Sequence, residues 1–163
     1  MAKLYCAYGS NLNQRQMLKR CPEAKFVGIG RLFGYELCFR GFSDSAYATI
    51  IEKEGEFVPV ALYWITESDE AALDHFEGYP YQYLKSQATV EIGDELVSAM
   101  IYIMNPNRKA GLPSGAYYAR IWDGYNDCGL DKQKLEEALE KTFKQFYAEA
   151  LKNPRESWTF FSK

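Results

Sequence analysis

The chain has 163 residues, 47% of them hydrophobic, and carries a formal net charge of −3 with a pI near 5.3. That length fits one domain over 1–163 with a core of its own, needing neither disulfides nor a structural metal to fold. The absence of any basic run argues against nucleic acid as a partner, and no apolar stretch nears the ~18 residues of a membrane span.

The first residues carry no charged segment leading into a long apolar one, so a cytoplasmic protein is expected. Residues 3–8 alternate, with Leu4, Cys6 and Tyr8 on one face and Lys3, Tyr5 and Ala7 on the other, which predicts a buried strand. It ends at Gly9-Ser10-Asn11, and a helix follows with Met17 and Leu18 on its apolar side until Cys21-Pro22 closes it. Strands are then expected at 26–40, with glycine breaks at 28, 30 and 34, at 46–52 and at 57–65. A short helix fills 67–77. Thr66 and Asp69 form a capping-box pattern at its start, and Gly78 with Pro80 stops it.

A hairpin is expected over 83–92 and 95–104, turning at Gly93-Asp94, and a Pro/Gly-rich loop over 105–116. The last element is a helix over 131–152, whose stripe Leu135, Leu139, Thr142, Phe143, Phe146, Tyr147 and Ala150 reads as core. An aromatic run, Trp158-Thr159-Phe160-Phe161, docks on its own domain or on a partner, and the oligomeric state is not legible. Many strands broken by glycine and few helices give an α+β fold with a mixed, barrel-like sheet.

Two places could carry chemistry. In Tyr8-Gly9-Ser10-Asn11-Leu12 a strand runs through a glycine turn into a helix start, which leaves backbone N–H groups free for an anion. The same pattern also serves as an ordinary strand–helix turn. Glu77 stands at a helix C-terminus, where carbonyl oxygens, the apolar Phe76, Tyr79 and Tyr81, and Asp74 one turn back all act to raise its pKa. A carboxyl tuned upward suits acid–base work near neutrality; a solvated helix-end residue is the plainer reading.

A nucleophilic cysteine is a poorer candidate. Cys6 shares a face with Tyr8, but His75 is the sole histidine, and it cannot face Glu77 two positions away on one helix. Cys6, Cys21, Cys38 and Cys128 form no CxxC pair, so reduced thiols and no metal site are expected. With 13 tyrosines, the positions of Tyr83, Tyr102 and Tyr117 alone prove little.

Taken together, these residues resemble the γ-glutamylcyclotransferase family, in the branch that includes γ-glutamylamine cyclotransferases and AIG2-like proteins. The resemblance runs from Tyr8-Gly9-Ser10-Asn11-Leu12 through Leu73-Asp74-x-x-Glu77-Gly78 to Tyr102 within Ala-Met-Ile-Tyr-Ile-Met. It continues through Pro113-Ser114-x-x-Tyr117 and Ile121-x-x-Gly124 to Gly129-Leu130. It implies a small mixed β-barrel with flanking helices, and an enzyme that closes γ-glutamyl compounds to 5-oxoproline with release of an amine or amino acid. It also implies no cofactor and a small-molecule γ-glutamyl substrate. Tyr8, Gly9, Ser10, Asn11 and Leu12 would form the binding loop, Glu77 would be the general acid/base, and Tyr83, Tyr102 and Tyr117 would line the pocket. The loop up to Tyr117 would shape the choice of leaving group. A non-catalytic relative binding a carboxylate ligand or a protein remains the alternative.

Overall fold

A computed structural model describes residues 1–153; the aromatic run at 158–161 lies outside them. The elements in chain order are β1 (Lys3–Ala7), a 3-10 turn (Ser10–Leu12), α1 (Gln14–Arg20), β2 (Lys25–Phe42) and β3 (Ser45–Ile65). They are followed by α2 (Glu67–Glu77), β4 (Tyr83–Ile92), β5 (Glu95–Met104), α3 (Gly115–Cys128) and α4 (Gln133–Lys152). The strands close a barrel in the order β1-β3-β2-β4-β5. Its seam joins β1 to β5 in parallel at Tyr5 and Met100, and the other neighbours are antiparallel. The fold is α+β, a mixed barrel with flanking helices.

The two strands expected at 46–52 and 57–65 are one continuous strand, β3. Its register against β2 jumps from Tyr35↔Glu52 to Phe33↔Phe57, so residues 53–56 lie opposite Gly34 as a bulge that bends the hairpin without ending it. Closure at the other side of β2 depends on Gly30. A Cβ there would stand 2.5 Å from the carbonyl oxygen of Glu91, beside the Arg31↔Glu91 pairing with β4. Residues 58–63 are buried without a break, so this part of β3 shows no alternation.

One helix was not expected. Residues 115–128 form α3, capped by the Ser114 side chain accepting from the Tyr117 N–H and ended by Gly129 in the left-handed conformation. The signal was present: Tyr117, Ile121, Gly124 and Cys128 recur at helical spacing between a serine and a glycine. The stripe on α4 is core only in part. Leu135, Ala138 and Thr142 are buried, whereas Phe143 and Tyr147 are exposed and stack on one another at 4.5 Å. Among the described residues, no helix is long and apolar enough to cross a membrane.

Helix α3 packs on the 3-10 turn through Gly124. A Cβ at that position would sit 2.5 Å from the backbone nitrogen of Asn13 and 2.7 Å from the Cβ of Leu12. Gly124→Ala should therefore cost about 1–3 kcal/mol through overpacking, read as a lower Tm in a thermal melt. An unchanged melt would remove this contact from the list of what holds the turn.

Candidate active site

Helix α2 delivers Glu77 by its two ends. At the start, the Thr66 side chain accepts from the Asp69 N–H and the Asp69 carboxylate accepts from the Thr66 N–H, so the capping box read from sequence is present. At the finish, Gly78 turns into the left-handed conformation and its N–H bonds back to the helix carbonyls. The chain then passes a cis Tyr79–Pro80 bond. Glu77 is the last helical residue and faces a cavity.

The space beneath it is a small cavity of about 330 Å³ up to open solvent. Tyr5 of β1, Tyr8 and Gly9 just after that strand, and Ser10 and Asn11 of the turn form one side. Ala48 of β3, Tyr83 of β4, Tyr102 of β5 and Tyr117 of α3 form the rest. Glu77 is the sole carboxylate among these lining residues.

The five tyrosines divide by what their hydroxyl protons do. Tyr8 donates to the Tyr102 carbonyl at 2.6 Å, Tyr83 to the Ala48 carbonyl at 2.6 Å, and Tyr102 to the Asp74 carboxylate at 2.6 Å. Those three are wall braces. The hydroxyl oxygens of Tyr5 and Tyr117 instead accept, from Asn11 Nδ2 at 3.0 Å and from the Ala48 N–H at 3.0 Å. Each of these two keeps its own proton for whatever enters the cavity. Burial pushes the pKa of all five upward, so they stay protonated and act as donors.

Burial also raises the Glu77 carboxyl from 4.5 to about 7, against the opposing pull of the Arg20 guanidinium. The cause differs from the sequence expectation. Phe76, Tyr79 and Tyr81 are exposed, and the desolvation comes from the tyrosine walls across the cavity. Nor does Asp74 push Glu77: its carboxylate binds Lys85 at 2.8 Å and the Tyr102 hydroxyl. Asn11 orients the acid. Its Nδ2 reaches Glu77 Oε1 at 3.4 Å and Tyr5 at 3.0 Å, while its Oδ1 accepts from Arg20 at 3.0 Å and from Gln16 at 3.3 Å.

Of the sequence candidates, Tyr8, Gly9, Ser10, Asn11, Glu77, Tyr83, Tyr102 and Tyr117 meet at this cavity. Leu12 does not. It is fully buried under α3, and its N–H closes the turn on the Gly9 carbonyl. The cap of α1 is Asn13, one step outside the helix, whose side chain accepts from the Gln16 N–H. Loop residues 105–114 line no part of the cavity. They are stitched to the β2–β3 hairpin instead, through Gly41 to Lys109 and Leu112 to Ser43.

Tyr5, Ala48 and Arg20 escaped the sequence reading. Alternation puts Tyr5 on the face opposite Tyr8, but β1 ends at Ala7, before Tyr8, and both residues line the cavity. Cys6 is buried and does not line it, and burial pushes its thiol upward. All four cysteines are free, and no cluster able to hold a metal occurs among the described residues.

A family model described as "Gamma-glutamyl cyclotransferase, AIG2-like" matches residues 5–123, a segment that contains every residue lining the cavity. The chain belongs to this family. Two curated relatives are named γ-glutamylcyclotransferase. The mouse protein is 29% identical over 143 residues, 82% of this chain and 75% of its own. The bovine protein is 30% identical over 136 residues, 78% of this chain and 72% of its own. A solved structure described as γ-glutamyl cyclotransferase superposes with a TM-score of 0.77 at 26% identity, covering 85% of this chain and 86% of that one. The family's barrel and the tyrosine-lined cavity thus coincide in one segment of sequence.

Proposed function

We propose that this protein is an enzyme that cyclises γ-glutamyl amides to 5-oxoproline, with Glu77 as its general acid/base. The observation that carries the reading is a lone carboxyl with a pKa of about 7 in a cavity otherwise walled by neutral donors. Such a group can both take and return a proton near neutral pH.

The substrate brings its own nucleophile, the α-amine, and its own electrophile, the γ-carbonyl carbon. The enzyme must hold the chain curled so that the two meet. In the turn, the Leu12 N–H is spent on Gly9, which leaves those of Ser10 and Asn11 without an acceptor inside the helical turn. These N–H groups, with the hydroxyls of Tyr5 and Tyr117, supply donors for the α-carboxylate and for the oxyanion that develops on the γ-carbonyl.

Glu77 takes one proton from the α-ammonium, and the freed lone pair attacks the γ-carbonyl carbon. Glu77 then protonates the leaving nitrogen, the C–N bond breaks, and the amine departs. The surplus proton on the ring nitrogen passes to the carboxylate and on to the amine or solvent. The residues assigned here need no metal or cofactor for any of these steps. A reducing, cytoplasmic setting suits its four free cysteines.

Because the base form is required in the free enzyme, kcat/KM should fall as pH drops through about 7. A pH profile of 5-oxoproline release tests this, and a flat profile between pH 5 and 8 would exclude Glu77 as the base. Screening a γ-glutamyl library for 5-oxoproline release tests the reaction itself; no product from any member would defeat the proposal.

A further inference from the structure

Beside the tyrosine cavity lies a second and larger cleft, about 1040 Å³ up to open solvent, formed by α1, the end of α2 and α3. Its walls carry Arg15, Lys19 and Arg20 from α1 and Arg120 from α3, with Phe76 among the lining residues. Positions 15 and 19, and 16 and 20, are i, i+4 pairs, so two adjacent rows of α1 face the same space. In a protein of net charge −3, four cations converge on this cleft and no carboxylate lines it. None of the four forms an ion pair among the described residues, so no carboxylate of the chain neutralises the cations gathered here.

The cleft and the cavity share one wall. Gln16 donates to the Ser10 hydroxyl at 2.8 Å, Arg20 donates to Asn11 at 3.0 Å, and Phe76 directly precedes Glu77. A γ-glutamyl group held under Glu77 therefore has this basic space as its immediate neighbour. Arg20 is partly committed, bonded to Asn11 and stacked 4.5 Å over the Phe76 ring. Arg15, Lys19 and Arg120 have no such commitment among the described side-chain contacts, and a single carboxylate would answer only one of them.

Resting on the cyclotransferase reading, we propose that this cleft is the leaving-group subsite and that the expelled amine carries two or more negative charges. An acidic amino acid or a short acidic peptide has that chemistry. A neutral alkylamine would leave the cations unanswered, and a lysine linked through its ε-nitrogen would bring one carboxylate together with an α-ammonium, adding no net negative charge.

The test is 5-oxoproline release from a graded series: γ-glutamyl-alanine amide, γ-glutamyl-alanine, γ-glutamyl-glutamate, and γ-glutamyl joined to an α-linked glutamyl-glutamate. Wild type is compared with the triple variant Arg15→Gln, Lys19→Gln, Arg120→Gln, none of which touches the proposed catalytic groups. In wild type, kcat/KM should climb about tenfold from the neutral to the doubly charged leaving group, mainly through KM, and flatten in high salt. The triple variant should lose the climb yet turn over the alanine amide as wild type does. Calorimetry with glutamyl-glutamate as product gives a readout independent of turnover, with binding weakened about tenfold in the variant. A series that turns over evenly in wild type, or a preference that survives in the variant, overturns the leaving-group proposal alone. No 5-oxoproline from any member overturns the cyclotransferase reading and this proposal with it.

Discussion

Glu77→Gln should leave 5-oxoproline release at least about a hundredfold below wild type and, near pH 8, give the more stable protein. The two effects share one cause. Burial lifts the Glu77 carboxyl from 4.5 to about 7, so above pH 7 the folded wild type holds a charge that the cavity walls disfavour. The step between those values corresponds to on the order of 3 kcal/mol that the wild type forgoes at high pH. The folded state binds its proton more tightly than the unfolded one. The wild type therefore regains stability as pH falls from about 7 to 4.5, and the advantage of the Gln variant should vanish below that range. Glutamine keeps the oxygen that Asn11 Nδ2 reaches at 3.4 Å, so the local geometry has no reason to collapse. Denaturant melts at several pH values, set beside turnover, check both halves. A variant that still released 5-oxoproline at a near wild-type rate would remove Glu77 from the mechanism; equal stability at pH 8 would mean that the acid is solvated in the free enzyme.

Gly9→Val should cost more activity than any change to the Ser10 side chain, on the order of a hundredfold in kcat/KM. A Cβ on Gly9 would stand 3.3 Å from the Ala48 Cβ and 3.7 Å from the Tyr117 hydroxyl, and the two further methyls of valine would enter the cavity. That would displace the γ-glutamyl chain from the Ser10 and Asn11 N–H groups. Ser10→Ala removes only an acceptor for Gln16, which still reaches Asn11 at 3.3 Å, so a loss of about tenfold or less is expected. Steady-state kinetics on both variants, with thermal melts as a folding control, separate the cases. If the serine change were as damaging as the valine, the binding model built on backbone donors would fail.

Several features were legible locally. The capping box at Thr66 and the left-handed exit at Gly78 are contiguous patterns, so the helix that carries Glu77 could be read directly. The hairpin of β4 and β5 was equally plain from two strand-like stretches meeting at the Gly93-Asp94 turn. Helix α3 was missed because its N-terminal half follows a Pro/Gly-rich stretch and its face includes a glycine. That glycine weakens the local helical signal, and it is required only by the close approach of Asn13 and Leu12. The α4 stripe shows the opposite error. Helical spacing identified a face, but the barrel covers only its first three turns, and Phe143 and Tyr147 lie beyond that support.

By itself the sequence determined the helix that ends at Glu77 and the glycine turn, since each follows from residues adjacent in the chain, and its many glycine-broken strands pointed to a sheet that curls. Tertiary structure decided why the acid is tuned. The walls that desolvate Glu77 come from β1, β4, β5 and α3, elements that neighbour one another only once the barrel closes. The same closure turned Asp74 away toward Lys85 and Tyr102, brought Tyr5 inward, and set the unpaired cations of α1 and α3 beside the cavity. Desolvation is a sum over neighbours in space, and that sum is unreadable until distant segments have been packed together.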